Sequence, residues 1–299
     1  MPKTIRSPVS TSVSATAEMQ TPAADTRYKS VDLAKLSSIG IGPVVQVYMI
    51  ENDAYPVDAY LIGAANNVLF GNDLPPLMKL SNMYDFIRIE NGLLRIGAAT
   101  PGGRIVSFCR KHDIAHFEFL SHLPGTLGGM LKMNAGLKEY EIFNRLVALR
   151  TKSGWLKKEE VPHGYRTTGI KDVVFEAVFA LEKGFDPSKV EMFKQMRANQ
   201  PNDPSAGSAF KNPPGDYAGR LIETVGLKGR RLGGMAFSDK HANFLINLGG
   251  GTFEEAAALL AAAQERVYKR FGIALEREII VIDLRFLTAD GGKTAIRGH

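Results

Sequence analysis

Runs of apolar residues begin at about Arg27 and continue with little interruption to about Phe286. "VVQVYMI" (Val44–Ile50), "DAYLIG" (58–63) and "LLRIGA" (93–98) are short, rich in β-branched and aromatic residues, and bounded by turn formers, so they predict strands. "TPGGRIVSFCRKHDI" (100–114) changes to a helical period, with Pro101 near its first turn. "KDVVFEAVFALEKG" (171–184) reads as a strand stopped by glycine. A helix is predicted over 188–199. A second is predicted in "YAGRLIETVG", where Ala218, Leu221, Ile222 and Val225 share a face and Gly226 ends the run. "NFLIN" (243–247) is a further strand. In the next helix Thr252 and Glu255 form a capping box, Ala256, Leu260, Ala263, Val267 and Phe271 line one face, and Gly272 is the stop. "EIIVIDLRF" (278–286) predicts the closing strand. Strands and helices mix without an internal repeat, giving an α+β class with a seam near Gly184 in "EKGFDPS".

The flanks differ. Residues 1–26 are rich in Ser, Thr, Ala and Pro, lack a hydrophobic secretory core, and predict a disordered tail. Residues 287–299 predict a second tail. The 299-residue chain has room for two or three domains. Its net charge of +6 is spread along the sequence, without an RNP-like or zinc-finger pattern. That favours an acidic small ligand and no nucleic-acid partner. Cys109 is the only cysteine, so an intrachain disulfide and a cysteine-based zinc site are both excluded. It sits in a helical run and reads as a buried thiol in a protein of a reducing, cytoplasmic compartment. No apolar run predicts membrane insertion, and no metal site is expected.

Two glycine-rich segments follow predicted strands: "LIGAANNVLFGND" (61–73) and "LPGTLGGMLKMNAG" (123–136). Small residues let successive backbone N–H groups approach an anion. Neither segment is a Walker A loop or a Rossmann fingerprint. Either alone reads as an ordinary tight turn. Together, ahead of Arg166 in "GYRTTGI" and the polar cluster "SAGSAFKNP" (205–213), they point to an anionic ligand. Arg166 has the fork that holds a carboxylate; a surface arginine is the plainer alternative. Alternation puts Glu276 and Glu278 on one face of the last strand, with Glu276 read as solvated.

The ordered set "PGTLGG…NAG", "GYR", "PSAGSAFKNP", "AGRLIETVGLKG", "KHANFLIN" and "FGIALEREI" resembles the bacterial UDP-N-acetylenolpyruvoylglucosamine reductases over about Tyr28 to Leu284. It is similar to their shorter, type II form, because 164–205 has no room for the tyrosine-bearing insertion of the longer form. The resemblance implies a two-lobed FAD-binding region of the PCMH/VAO type followed by a third, α/β substrate-binding domain. The divisions expected are 27–80 and 81–184 for the two lobes and 185–286 for the third domain. It further implies NADPH-dependent reduction of UDP-N-acetylglucosamine enolpyruvate to UDP-N-acetylmuramate, in peptidoglycan synthesis, by a monomer.

By the same resemblance Ser208 matches the proton donor, Arg166 the arginine that polarises the substrate carboxylate, and Glu278 the third catalytic residue. Asn212 and Lys228 match substrate contacts, and His241 falls where the longer form has a substrate-binding glutamine. Gly63, Ala64, Ala65, Asn66 and Asn67 from the first loop would bind FAD. So would Pro124, Gly125, Thr126, Gly128, Gly129, Asn134, Ala135 and Gly136 from the second. Three motifs depart from the pattern. "GAANN" replaces "GxGSN", Ile280 replaces an arginine that helps bind flavin in relatives, and "YRTT" keeps a hydroxyl at Thr168. Two other readings are another flavoprotein of the same superfamily, such as an oxidase of small alcohols, and a nucleotide-binding module without chemistry. The former would not need "GSAFKNP" or "GLKG", and the latter would not need Arg166, Ser208 and Glu278 together.

Overall fold

A computed structural model of the chain describes residues 26–287; both predicted tails lie almost wholly outside them. Three principal sheets follow one another along the sequence. In the first, Tyr28–Asp32 pairs antiparallel with Val44–Ile50, which runs parallel to Leu77–Leu80; Tyr60–Leu61 closes the far edge. The second sheet has the order Gly154–Lys157, Leu146–Thr151, Val174–Ala180, Leu93–Gly97, Ile87–Glu90, antiparallel throughout. The third joins Ser205–Ser208, Phe244–Asn247, Met235–Phe237 and Arg231–Leu232, again antiparallel throughout. No βαβ crossover builds it, so this region is α+β rather than the α/β unit expected.

Helix Gly102–His112 starts immediately after Pro101, whose fixed φ suits a helix entry. Its Ile105, Val106 and Cys109 face the core of the second sheet. Helix Phe253–Phe271 lays Ala256, Leu260, Ala263 and Val267 on the third sheet. The Thr252 hydroxyl accepts from Glu255 N, and the Glu255 carboxylate accepts from Thr252 N and Gly234 N. Thus the capping box also ties the helix start to the neighbouring strand turn. Gly272 adopts φ 68°, the left-handed stop.

Three parts of the chain depart from the patterned expectation. The strand expected over 58–63 shrinks to Tyr60–Leu61, because Ile62 N makes a last bond to Met78 O before the chain turns away into a loop. The run over 171–184 is a strand only at Val174–Ala180. The closing strand over 278–286 extends only over Ile280–Ile282 and then becomes helix Leu284–Leu287. Asp283 causes that turn. Its carboxylate is fully enclosed and accepts from Asn72 N, Asp73 N and both Arg285 side-chain and backbone N–H groups. The Arg285 guanidinium holds the Asp283 carboxyl down at about 2. Gly71 makes room for it, since a Cβ there would lie 1.9 Å from the carboxylate.

Ile280–Ile282 pairs in parallel with Val68–Phe70. The end of the described chain therefore returns to the first region, and Ile282 packs in that region's core with Leu33, Val47 and Phe70. Helix Pro187–Met196 follows the expected seam at Gly184, yet its Phe193 is enclosed in the core of the second sheet, edge-on to Tyr140.

Candidate active site

A cavity of about 470 Å³ opens between the first and second sheets and the two glycine-rich loops. Residues 63–67 all line it, as do Pro124, Gly125, Thr126, Gly128, Gly129 and Ala135. The backbone makes this possible. Ala65 adopts φ 52° and Gly125 φ 135°, positive values that a non-glycine residue such as Ala65 rarely meets. Gly128 N donates to Ala98 O at 2.8 Å, which pins the start of helix Leu127–Lys132 to the end of a strand. A Cβ on Gly128 would approach the Ala98 carbonyl oxygen at 3.2 Å, so glycine permits this close packing. At Gly129 a Cβ would have only the Thr126 hydroxyl near it, at 3.9 Å, and the cavity in front.

Two of the expected cofactor residues stand behind the wall rather than on it. Asn134 is fully enclosed, with φ 42°, and its Nδ2 donates to Glu141 and to Gly164 O. Gly136 offers its carbonyl to Arg166 Nη2 at 3.1 Å. Thr168 Oγ1 donates to Lys132 O at 2.8 Å. Together these bonds fasten the 132–136 segment to the turn that carries Arg166, itself held at φ 56°.

Arg166 Nε lies 3.2 Å from Glu278 Oε1. The alignment is too poor for a hydrogen bond, so the contact is electrostatic and leaves a buried N–H without an acceptor. Glu278 is nearly enclosed, and burial raises its carboxyl above the ordinary glutamate range against the pull of Arg166 and Lys211. Glu276 does not share its surroundings: it is exposed and paired with Lys211. The expected common face fails because regular strand geometry begins only at Ile280.

Ser208 ends the first strand of the third sheet, opposite Phe244. Its neighbour Ala209 accepts at its carbonyl from Glu278 N at 2.9 Å, which sets the serine strand against the Glu278 segment. Gly207, at φ 73°, and a register shift between Ser205 and Ser208 bend that strand. The Ser208 hydroxyl makes no side-chain hydrogen bond among the described residues. Asn67 completes the link, donating from Nδ2 to Glu278 O at 2.9 Å and contacting the Met133 sulfur at 3.3 Å.

The three expected substrate contacts cluster around helix Ala218–Thr224. Asn212 Oδ1 accepts from Ala218 N at 3.0 Å, so its carbonyl caps the helix while its amide N–H groups stay available. Lys228 pairs with Glu223 at 2.9 Å. His241 is half-buried, and its pKa is lowered by burial and by Lys228. Gly219 packs on its ring, where a Cβ would lie 3.3 Å away.

Sequence reasoning overlooked Ser38, Lys79 and Lys132. The Ser38 hydroxyl sits between Ser205 O (2.6 Å) and Asn66 O (3.1 Å), joining the serine strand to the first loop. Lys79 and Lys132 line the cavity. The available signal was a lone lysine inside an apolar run, in "LMKL" and in "GMLKM".

Comparison with known proteins matches this arrangement. Residues 200–282 fit the family model described as UDP-N-acetylenolpyruvoylglucosamine reductase, C-terminal domain. The UDP-N-acetylenolpyruvoylglucosamine reductase of Helicobacter hepaticus is 42% identical over 257 residues, covering 84% of this chain and 98% of the relative. The chain belongs to the UDP-N-acetylenolpyruvoylglucosamine reductase family. The Campylobacter jejuni reductase (strain RM1221) is 42% identical over 257 residues, covering 84% of this chain and 99% of its own. The crystal structure of the Thermus caldophilus reductase superimposes with a TM-score of 0.75 at 27% identity, covering 86% of this chain and 99% of that one. The reductase fold thus spans all three sheets, and the family model covers the part that carries Ser208, Asn212, Lys228, His241 and Glu278. Among the described residues no helix is long and apolar enough to cross a membrane.

Proposed function

We propose that the chain reduces UDP-N-acetylglucosamine enolpyruvate to UDP-N-acetylmuramate for peptidoglycan synthesis in the cytoplasm, with FAD in the cavity and NADPH as reductant. The observation that carries this reading is the Arg166–Glu278 pair, joined to the cavity wall through the bond from Asn67 to Glu278 O and set against the Ser208 strand by the bond from Glu278 N to Ala209 O. Residues 27–80 and 81–184 form the two flavin-binding lobes of the PCMH/VAO type, and 185–286 the substrate-binding domain, with Ile280–Ile282 returning to the first lobe.

The cavity suits a flavin dinucleotide on its own chemistry. Two glycine loops allow close backbone approach, the remaining wall is mainly apolar, and Lys79 and Lys132 lack carboxylate partners among the described residues. Bound FAD supplies the hydride. The chain's own groups handle the charge and the proton on the substrate. Addition of hydride to the vinyl group puts negative charge on the enolpyruvyl carboxylate. Arg166, fixed by Gly136 O and facing Glu278, is a cation already in place for it. A protonated Glu278 donates to the same oxygens, and burial pushes its carboxyl in that direction. The Ser208 hydroxyl delivers the proton to the adjacent carbon; it is a weak acid in water but sufficient against a carbanion-like centre. Asn212, Lys228 and His241 hold the diphosphate and sugar.

The test is an anaerobic pair of half-reactions. NADPH is expected to bleach the flavin absorbance of the purified protein, and the enolpyruvyl substrate to restore it. A protein that stays colourless after refolding with FAD, or whose bleached flavin ignores the substrate, overturns the reading.

A further inference from the structure

The cavity wall carries more positive charge than its own chain neutralises. Lys79 Nζ donates to the Gly63 carbonyl at 2.7 Å, and Lys132 Nζ to the Ile170 carbonyl. Neither makes an ion pair among the described residues. The carboxylates on the same wall are otherwise engaged: Asp85 pairs with Arg104, and Asp172 accepts from the Tyr55 hydroxyl at 2.6 Å. Burial lowers the pKa of both lysines, the strain expected of cations waiting for an anion.

The two lysines occupy different places along the cavity. Lys79 is bonded to Gly63, where the first loop begins. That loop ends at Asn67, which touches both Met133 and Glu278. Lys132 directly precedes Met133, and its carbonyl is held by Thr168, two residues from Arg166. Lys132 is therefore joined twice to the segment that carries Arg166: through its carbonyl at Thr168 and through its ammonium at Ile170.

We propose that Lys132 is the cation that favours the reduced over the oxidised form of the bound flavin, by facing the pyrimidine edge of its ring. The inference rests on the FAD reading above. Two-electron reduction makes that edge negative near neutral pH, because the reduced ring gives up its N1 proton readily. A fixed ammonium in a wall of low polarity stabilises that charge, whereas it gains little from the neutral oxidised ring. Ile280, which lines the same cavity, brings no charge of its own. Lys79, tied to the loop that would hold the pyrophosphate, meets the same charge in both oxidation states and so cannot discriminate between them.

The experiment is equilibrium reduction of the FAD-loaded protein against a reference dye, paired with release of oxidised FAD on dilution, read by flavin fluorescence. Lys132→Met is expected to lower the equilibrium constant for reduction by at least about tenfold, about 30 mV for a two-electron couple. Its release of oxidised FAD should stay within about threefold of wild type, since no full charge is lost against a neutral ring. Lys132→Arg should keep the wild-type potential. Lys79→Met should release FAD more readily with the potential unchanged. An unchanged potential in Lys132→Met, or in Lys132→Gln should the methionine variant not fold, overturns the proposal. So does a loss of oxidised FAD as large as the change in the reduction equilibrium. A wild-type protein that binds no FAD overturns the underlying reading instead, and is distinguished by its lack of colour.

Discussion

Two buried glutamates, each beside arginine, behave in opposite ways. Glu176, in the middle of the second sheet, accepts from Arg95 Nε at 2.5 Å and Arg150 Nε at 2.6 Å. Burial alone would raise its carboxyl, but these two bonds outweigh that and hold it below the usual glutamate value. Glu278, whose carbonyl accepts from the cavity-lining Asn67, faces Arg166 at 3.2 Å without hydrogen-bond alignment, and burial wins. The first glutamate is charged and satisfied. The second is pushed up by burial, and its arginine keeps an N–H to spare. Charge that supports the fold is matched within the chain, while charge at the site is left for a ligand to complete.

The largest effect expected from breaking this contrast is at Arg166. Arg166→Met should cost about 10²- to 10³-fold in turnover, the usual loss for one preorganised donor to a developing anion. Arg95→Met should leave the turnover of the folded protein unchanged. Comparable losses of turnover in both variants would remove the distinction.

On stability the order reverses. Glu176→Gln removes the enclosed carboxylate that Arg95 and Arg150 share, leaving them only the more exposed Glu90 and Asp53, and should cost about 3 kcal/mol or more in denaturant unfolding. Glu278→Gln, which keeps a hydrogen-bond donor and breaks no aligned bond to Arg166, should change stability by less than about 1 kcal/mol. A Glu176→Gln protein as stable as wild type would show that the sheet does not depend on the pairing.

The pH dependences should have opposite signs. The folded value of Glu176 is depressed, so its contribution is present above the unfolded value near 4.5 and is lost as pH falls below it. The folded value of Glu278 is raised, so its contribution is complete below about 4.5 and declines as pH rises through the folded value. Unfolding curves of the two glutamine variants, each subtracted from wild type across pH 3 to about 8, should slope in opposite directions. Parallel slopes would contradict the burial argument for Glu278.

The smallest effects belong to the proposed substrate contacts. Lys228→Ala should mainly raise the substrate KM, as a contact made in ground and transition states alike. Asn212→Ala should do the same and also cost about 1 kcal/mol in stability, because Asn212 caps a helix. A fall in kcat with KM unchanged would show the roles to be misassigned.

Part of this molecule is legible in its sequence alone. Capping at Thr252, the stop at Gly272 and the strands Val44–Ile50 and Leu93–Gly97 arise from local chemistry, which neighbouring residues state directly. Arg166, Ser208 and Glu278 are found through ordered motifs, since Arg166 and Glu278 lie 112 positions apart and no local rule joins them. What escapes depends on tertiary partners. Asp283 ends the last strand because it meets Asn72 and Asp73, more than 200 positions away. Glu276 and Glu278 part company because the strand starts later than alternation implies. Lys79 and Lys132 look like any lysine near an apolar run until the cavity beside them, and the lack of a carboxylate for either among the described residues, are seen.

The central claim, that Ser208 supplies the proton beside an Arg166–Glu278 anion site, is tested most directly by anaerobic stopped-flow absorbance of the reduced flavin mixed with the enolpyruvyl substrate. Ser208→Ala should bind FAD and accept hydride from NADPH almost as wild type does, yet lose at least about 10²-fold in reoxidation by the substrate, the scale of general acid catalysis. Ser208→Cys should recover part of that loss, and Ser205→Ala should lose far less. Reoxidation of Ser208→Ala at a rate near wild type would contradict the account, placing the proton on another group or on water.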